Sequence, residues 1–211
     1  MIRAARAGRS TEEGWLHMKI ISLAVVVVCL CAATAYPYDR TFIGDQTEVG
    51  GFMGFAGRLI ETKGEVGILA GGRMEAVISH NWGIGGGGYG TVAGSKLEDL
   101  EGLSRLDMAY GGMVLEYVFK PHAIFHVCVP VLVGGGQVQF VGDYVDPESG
   151  QDSDLFFVIE PEFNLELNVT RNLRVDLGVA YRHVNGTELT DFTDEDLSGV
   201  NGVLAVKIGA F

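Results

Sequence analysis

Phe157-Val158-Ile159-Glu160-Pro161-Glu162-Phe163-Asn164-Leu165-Glu166-Leu167-Asn168 runs through Val169-Thr170-Arg171-Asn172 into Leu173-Arg174-Val175-Asp176-Leu177-Gly178-Val179-Ala180-Tyr181-Arg182. Its residues sort onto two faces. Ile159, Pro161, Phe163, Leu165 and Leu167 alternate with Glu160, Glu162, Asn164, Glu166 and Asn168. Beyond the polar turn Thr170 to Asn172, Leu173, Val175, Leu177, Val179 and Tyr181 alternate with Arg174, Asp176, Gly178, Ala180 and Arg182. A period of two makes both runs strands, each with one apolar and one polar face. Both runs are long and the turn between them is tight. One polar face carries carboxylates and the next guanidiniums, which predicts a membrane hairpin turned inside out: apolar face to lipid, charged face to a closed interior.

The N-terminus decides which solvent the apolar face meets. Lys19 precedes the apolar run Ile20 to Cys31, and Ala33-Thr34-Ala35 suits signal cleavage, so residues 18–35 read as a secretory signal with the mature chain starting near Tyr36. The apolar run is too short for a comfortable transmembrane helix. Met18 is as good a start as Met1, and residues 1–17 read as an upstream mis-start extension. Val28 before Cys29 and Leu30 before Cys31 disfavour lipid attachment, which needs a small residue there. Residues 36–47 read as an N-terminal periplasmic segment and 48–211 as one barrel domain.

The chain carries a formal charge of −12, and four of its fifteen bases but only two of its twenty-seven acids precede Tyr36, so the mature chain reaches −14. That acidity disfavours a nucleic-acid partner. Cys128 is the one cysteine beyond the signal. Without a disulfide within the chain, stability has to come from a large hydrogen-bonded sheet.

The same alternation recurs along the chain. Gly50 to Ile60 puts Met53, Phe55 and Leu59 opposite Phe52, Ala56 and Arg58. From Glu65, Val66, Ile68, Met74 and Ile78 oppose Leu69, Arg73 and Glu75. Trp82 to Val92 is a glycine-rich strand, Leu106 to Phe119 carries Glu116 among Met113, Leu115 and Tyr117, and Ile124 to Phe140 points Val127, Val129, Val131 and Val133 outward. Val200 to Phe211 sets Leu204, Val206 and Ile208 against Lys207. The sum is an all-β, eight-stranded antiparallel barrel in an up-and-down meander, with no helix of three turns or more. Pro130 and Pro161 fall inside strands, where each removes a ladder bond unless it sits at a bulge.

The connections alternate. His80-Asn81, Lys120 to His122 and Thr170 to Asn172 are tight, whereas 93–105, 141–154 and 185–198 are long and largely acidic; the link Glu61 to Gly64 is short where a long one is expected. Outer-membrane barrels place short turns on the periplasmic side and long loops outside. Over residues 48–211 the chain resembles the outer-membrane protein A and X class of barrels. That resemblance implies outer-membrane lipid, lipopolysaccharide and the barrel assembly machinery as partners, no cofactor, and Phe211 as a terminal aromatic assembly signal. Lys207 and Gly209 share the face of Phe211 where that signal prefers apolar residues, which implies a bulge or shift in the last strand.

Several residues invite a chemical reading. Gly85 to Gly88 with Tyr89-Gly90 has a dinucleotide-type spacing, but Thr91-Val92-Ala93-Gly94 follows in place of a helix, and close packing in a narrow barrel explains it better. Tyr181-Arg182-His183-Val184-Asn185-Gly186 resembles the histidine-bearing strand end of lipid A deacylases, except that Asn185 stands where their serine would be, so the nucleophile is missing. His80, His122 and His126 lack metal-ligand spacing, and no metal is expected. Asp143, Asp146, Glu148, Asp152 and Asp154, like Asp191, Asp194, Glu195 and Asp196, match no calcium loop and read as a solvated acidic surface.

By strand parity the interior receives Arg58, Arg73, Glu75, Glu116, Glu160, Glu162, Glu166, Arg174, Asp176, Arg182 and Lys207. Six acids face five bases, and unpaired buried charge is expensive, so these groups must pair or be hydrated. Eight strands leave room for side chains alone, which favours a salt-bridged plug with Arg174 and Arg182 as the counter-charges of Glu160, Glu162 and Glu166. The expected role is a non-enzymatic envelope protein, structural or engaged in surface interaction through its acidic loops. A narrow pore, a lipid-modifying enzyme and a soluble ligand-binding barrel with reversed faces are the competing classes.

Overall fold

The computed structural model describes residues 48–62, 65–93, 96–99, 102–142, 153–187 and 193–211. The mis-start extension, the signal, the periplasmic segment and the acidic run 143–152 lie outside the described residues. Nine strands follow in chain order: β1 (Val49–Thr62), β2 (Glu65–Ile78), β3 (Trp82–Ala93), β4 (Lys96–Asp99), β5 (Gly102–Phe119), β6 (Phe125–Gly142), β7 (Ser153–Thr170), β8 (Leu173–Asn185) and β9 (Gly199–Ala210), with one helical turn, α1 (Asp194–Leu197), before the last. Consecutive long strands pair antiparallel, β1 pairs with β9, and β3 pairs with β5. The sheet therefore closes as an eight-strand meander without edges. The ninth strand is a departure from expectation: β4 pairs only with β5, so part of the loop 93–105 is a hairpin arm standing on the barrel.

The alternation holds strand by strand. β7 buries every second residue along most of its length, and Leu155, Phe157, Phe163 and Leu165 face outward while Glu160, Glu162 and Glu166 are buried. Met53, Phe55 and Leu59 on β1, Met113 and Leu115 on β5 and Leu204 and Ile208 on β9 also point out. A soluble ligand-binding barrel would have these faces reversed. At the tight-turn end the outer surface carries Trp82, Tyr117 and Phe119 in edge-to-face contact, with centroids 4.7 and 4.6 Å apart, the placement of an interfacial aromatic girdle.

Neither proline sits at a bulge. Pairing between β6 and β7 lapses over Val129 and Pro130, and pairing between β7 and β8 lapses over Glu160 and Pro161; each resumes in the same register. The flanking ladder is long enough to hold phase across a missing N–H. The shift in this hairpin lies between Asn168 and Thr170, beside the turn. The last strand has no bulge either: β9 runs in continuous register with both β1 and β8. Phe211 therefore stays near the inward face of Lys207, its ring 5.4 Å from that of Phe52 and 3.9 Å under the Arg174 guanidinium.

Candidate functional site in the barrel lumen

Every charged residue assigned to the interior by parity is buried: Arg58, Arg73, Glu75, Glu116, Glu160, Glu162, Glu166, Arg174, Asp176, Arg182 and Lys207. Their pairing follows the ring more than the chain. Arg58 on β1 reaches across to β7, bonding Glu160 and donating to Glu162 at 2.6 Å, while its guanidinium lies 3.9 Å from the Tyr89 ring centroid. Tyr110 Oη donates to Glu160 at 2.8 Å, and Asn201 Nδ2 does so at 3.2 Å. Arg73 stands 2.6 Å from Glu116, 3.1 Å from Glu75 and 3.5 Å from Asp176.

Lys207 is the hub of the tight-turn half. Its ammonium lies 3.0 Å from Glu116 and 3.0 Å from Asp176, bonds Glu166, and approaches Cys128 Sγ at 3.7 Å. Glu166 also accepts from Arg174 at 2.7 Å and contacts His126 Nε2 at 2.6 Å. Arg73, Arg174, His126 and Lys207 thus converge on Glu116 and Glu166, which answers the cost of burying charge in a closed lumen. The carboxylates of Glu75 and Asp176 make no well-aligned hydrogen bond, but Glu75 Oε1 lies 3.1 Å from Arg73 and Asp176 Oδ2 3.0 Å from Lys207.

Arg174 pairs with Glu166 as expected, but neither it nor Arg182 is the counter-charge of Glu160 and Glu162. Arg58 and Arg73 hold Glu162, and Arg58 holds Glu160. Arg182 instead donates from Nε to the Leu197 carbonyl at 2.7 Å. Parity names the face, but only the ring places β1 opposite β7.

Above the charges, at the long-loop end, the lumen is apolar. Ile60, Leu69, Leu106, Met108, Val138, Phe156, Val158, Val184 and Leu197 form one buried cluster with Tyr89 and Tyr110. Leu197 enters from α1, which folds over the mouth: Val184 N donates to Ser198 Oγ at 2.9 Å, and Thr193 N to the Asp196 carboxylate at 2.9 Å. Gly186 N and Thr187 N donate to Asp194 at 3.1 and 2.8 Å, and these two amides hold its carboxyl below the usual aspartate range. The cap, expected from sequence as solvated acidic loop, and His126, Cys128, Asn164 and Asn201 add to the expected lumen set; these four share the parity of the charged residues beside or across from them, which is the signal that finds them.

The remaining candidates are scattered. His183 and Asn185 are exposed on β8, on the outer face. The glycines of β3 pack closely: a Cβ at Gly83 would lie 2.3 Å from the Glu75 carboxylate, and one at Gly85 would lie 1.9 Å from the Met74 carbonyl oxygen. They admit side chains and backbone from neighbouring strands, and no helix follows them.

No protein-family description and no curated protein matches the chain. Solved structures do. Neisserial surface protein A superposes with a TM-score of 0.52 at 9% identity, covering 79% of this chain and 99% of that one. The N-terminal β-barrel domain of Pseudomonas aeruginosa OprF gives 0.49 at 11% identity, covering 76% and 96%. The Yersinia pestis outer membrane protein Ail, in a phospholipid bilayer nanodisc, gives 0.42 at 15% identity, covering 77% and 99%. Closed as an eight-strand meander, charged within and apolar without, this chain has the fold of the small eight-stranded outer-membrane β-barrels.

Proposed function

We propose that this protein resides in the bacterial outer membrane as a closed, non-enzymatic barrel, with a structural or surface-interaction role carried by its acidic long-loop end. One observation carries the reading: the lumen is filled twice over, by a cross-barrel ion-pair network and by the apolar cap beneath Leu197. Water and ions need a continuous polar path, and the cap interrupts it. The outward apolar wall and aromatic girdle match a bilayer, and lipid and lipopolysaccharide are the immediate surroundings. The barrel assembly machinery is the partner that such a fold requires, with Phe211 as the terminal aromatic offered to it. The loops 143–152 and 186–198 give the outer end an excess of carboxylates, fit for contacts with cationic groups.

The test is fractionation followed by recording. The protein should sediment with outer membranes, resist carbonate extraction and show heat-modifiable migration; purified into planar bilayers, it should pass no steady current. Recovery in the soluble periplasm overturns the location, and large stable openings overturn the closed lumen.

A further inference from the structure

We infer that Glu48, His80 and His122 form a binding site for a divalent transition cation of the zinc or copper class at the tight-turn end of the barrel. The three residues come from separate segments: the lead-in to β1, the β2–β3 turn and the β5–β6 turn. Pairing of neighbouring strands, β1 with β2 and β3 with β5, brings them together. His80 Nε2 lies 2.5 Å from Glu48 Oε2, and the His80 and His122 rings meet edge to face with centroids 5.2 Å apart.

The turn that carries His80 is built at some cost. Ser79 and His80 both have positive φ, 52° and 61°, as the central residues of a turn closed by Asn81 N on the Ile78 carbonyl at 3.3 Å, where Asn and Gly are favoured. It is nevertheless fixed on both sides. Ser79 N donates to the Glu48 carbonyl at 2.9 Å, Asn81 Nδ2 donates to the Val118 carbonyl at 2.8 Å, and Val118 N donates to the Asn81 carbonyl at 2.8 Å. The chain is thereby clamped to its neighbours while the three ligand groups stay open to solvent, His80 at 30% and Glu48 at 75% exposure.

Imidazole with carboxylate is a donor set suited to zinc, copper or nickel more than to calcium or magnesium, which take all-oxygen shells. Glu48 Oε2 and His80 Nε2 already face one another where a cation would touch both, so little rearrangement is needed for the first two ligands. Rotation of the exposed His122 side chain supplies the third donor, and water completes a tetrahedral shell.

The interior offers a tighter trio that cannot serve. Among the described residues, Glu116, Cys128 and Glu166 alone already have donor atoms within 4.8 Å of one another. Their common centre is taken by the Lys207 ammonium, 3.0 Å from Glu116 and 3.7 Å from Cys128 Sγ.

The test titrates zinc alone into the full barrel, refolded in detergent without a polyhistidine tag and followed by calorimetry. His80→Asn keeps a residue suited to positive φ, His122→Gln keeps bulk, and heat-modifiable migration verifies that each variant is folded. The parent should bind a single equivalent of zinc, each histidine variant should weaken binding by about tenfold or more, and Cys128→Ser should leave it unchanged. No uptake by the parent, parent-like binding by the folded double histidine variant, or loss of binding in Cys128→Ser would each overturn the site.

Discussion

Lys207 shows how much a single side chain holds. Its ammonium serves Glu116, Glu166 and Asp176, from β5, β7 and β8, so it ties four strands through one charge. Lys207→Ala removes the one cation that Glu116, Glu166 and Asp176 share and leaves only Arg73 and Arg174 against them. Removing one partner of a buried pair typically costs about 3–5 kcal/mol. A urea titration of the refolded barrel should show a loss of that order, and a loss below about 1 kcal/mol would mean the charges are solvated. The inward position of Lys207 is legible from Leu204, Val206 and Ile208 on the opposite parity. Its partners are not, because Glu116 lies 91 residues away and meets it only across the lumen. The same limit explains Arg58: sequence order suggests Arg174 and Arg182 for Glu160 and Glu162, and ring order supplies Arg58.

At the scale of elements, strands were readable because a side chain on a barrel wall has only two environments. β7 and β8 show this most clearly, and their outer faces make a prediction. Leu165→Arg, 49% exposed on the lipid side, and Val175→Arg should each lower membrane folding stability by about 2–4 kcal/mol. Equal refolding midpoints for both variants and the parent would sink the facing. α1 was not readable, since Asp194-Glu195-Asp196 reads as solvated loop and Leu197 is a lone apolar residue among acids. Its attachment gives a pH signature. Two amides hold the Asp194 carboxyl below 3.8, so this contact stabilises the loop fully above the ordinary aspartate value and is lost as pH falls through the depressed one. Amide NMR shifts of Gly186 and Thr187 should stay constant at neutral pH and move together only in strong acid; movement near pH 6 would assign the change to another group.

For the molecule as a whole, closure has two layers, and they fail differently. Arg58→Ala with Arg73→Ala removes bulk and counter-charge from Glu160, Glu162 and Glu116, but leaves the apolar cap in place. That double variant should remain closed in planar bilayers. Adding Leu197→Ser should open a small, cation-preferring path lined by the freed acids. Steady current from the arginine variant alone would show that the ion pairs are the only seal.

The ion pairs also bear on how such a barrel reaches its membrane. Arg58 and Glu160 are 102 residues apart, Arg58 and Glu162 104, and Lys207 and Glu116 91, so none of these contacts exists until distant parts of the chain have come round to face each other. A half-inserted sheet would hold Arg58 or Lys207 against hydrocarbon with no partner in reach, a cost of several kcal/mol for each charge. Partly formed sheets thus have no resting place in the bilayer. For the proposed outer-membrane location this couples insertion and ring closure into one step.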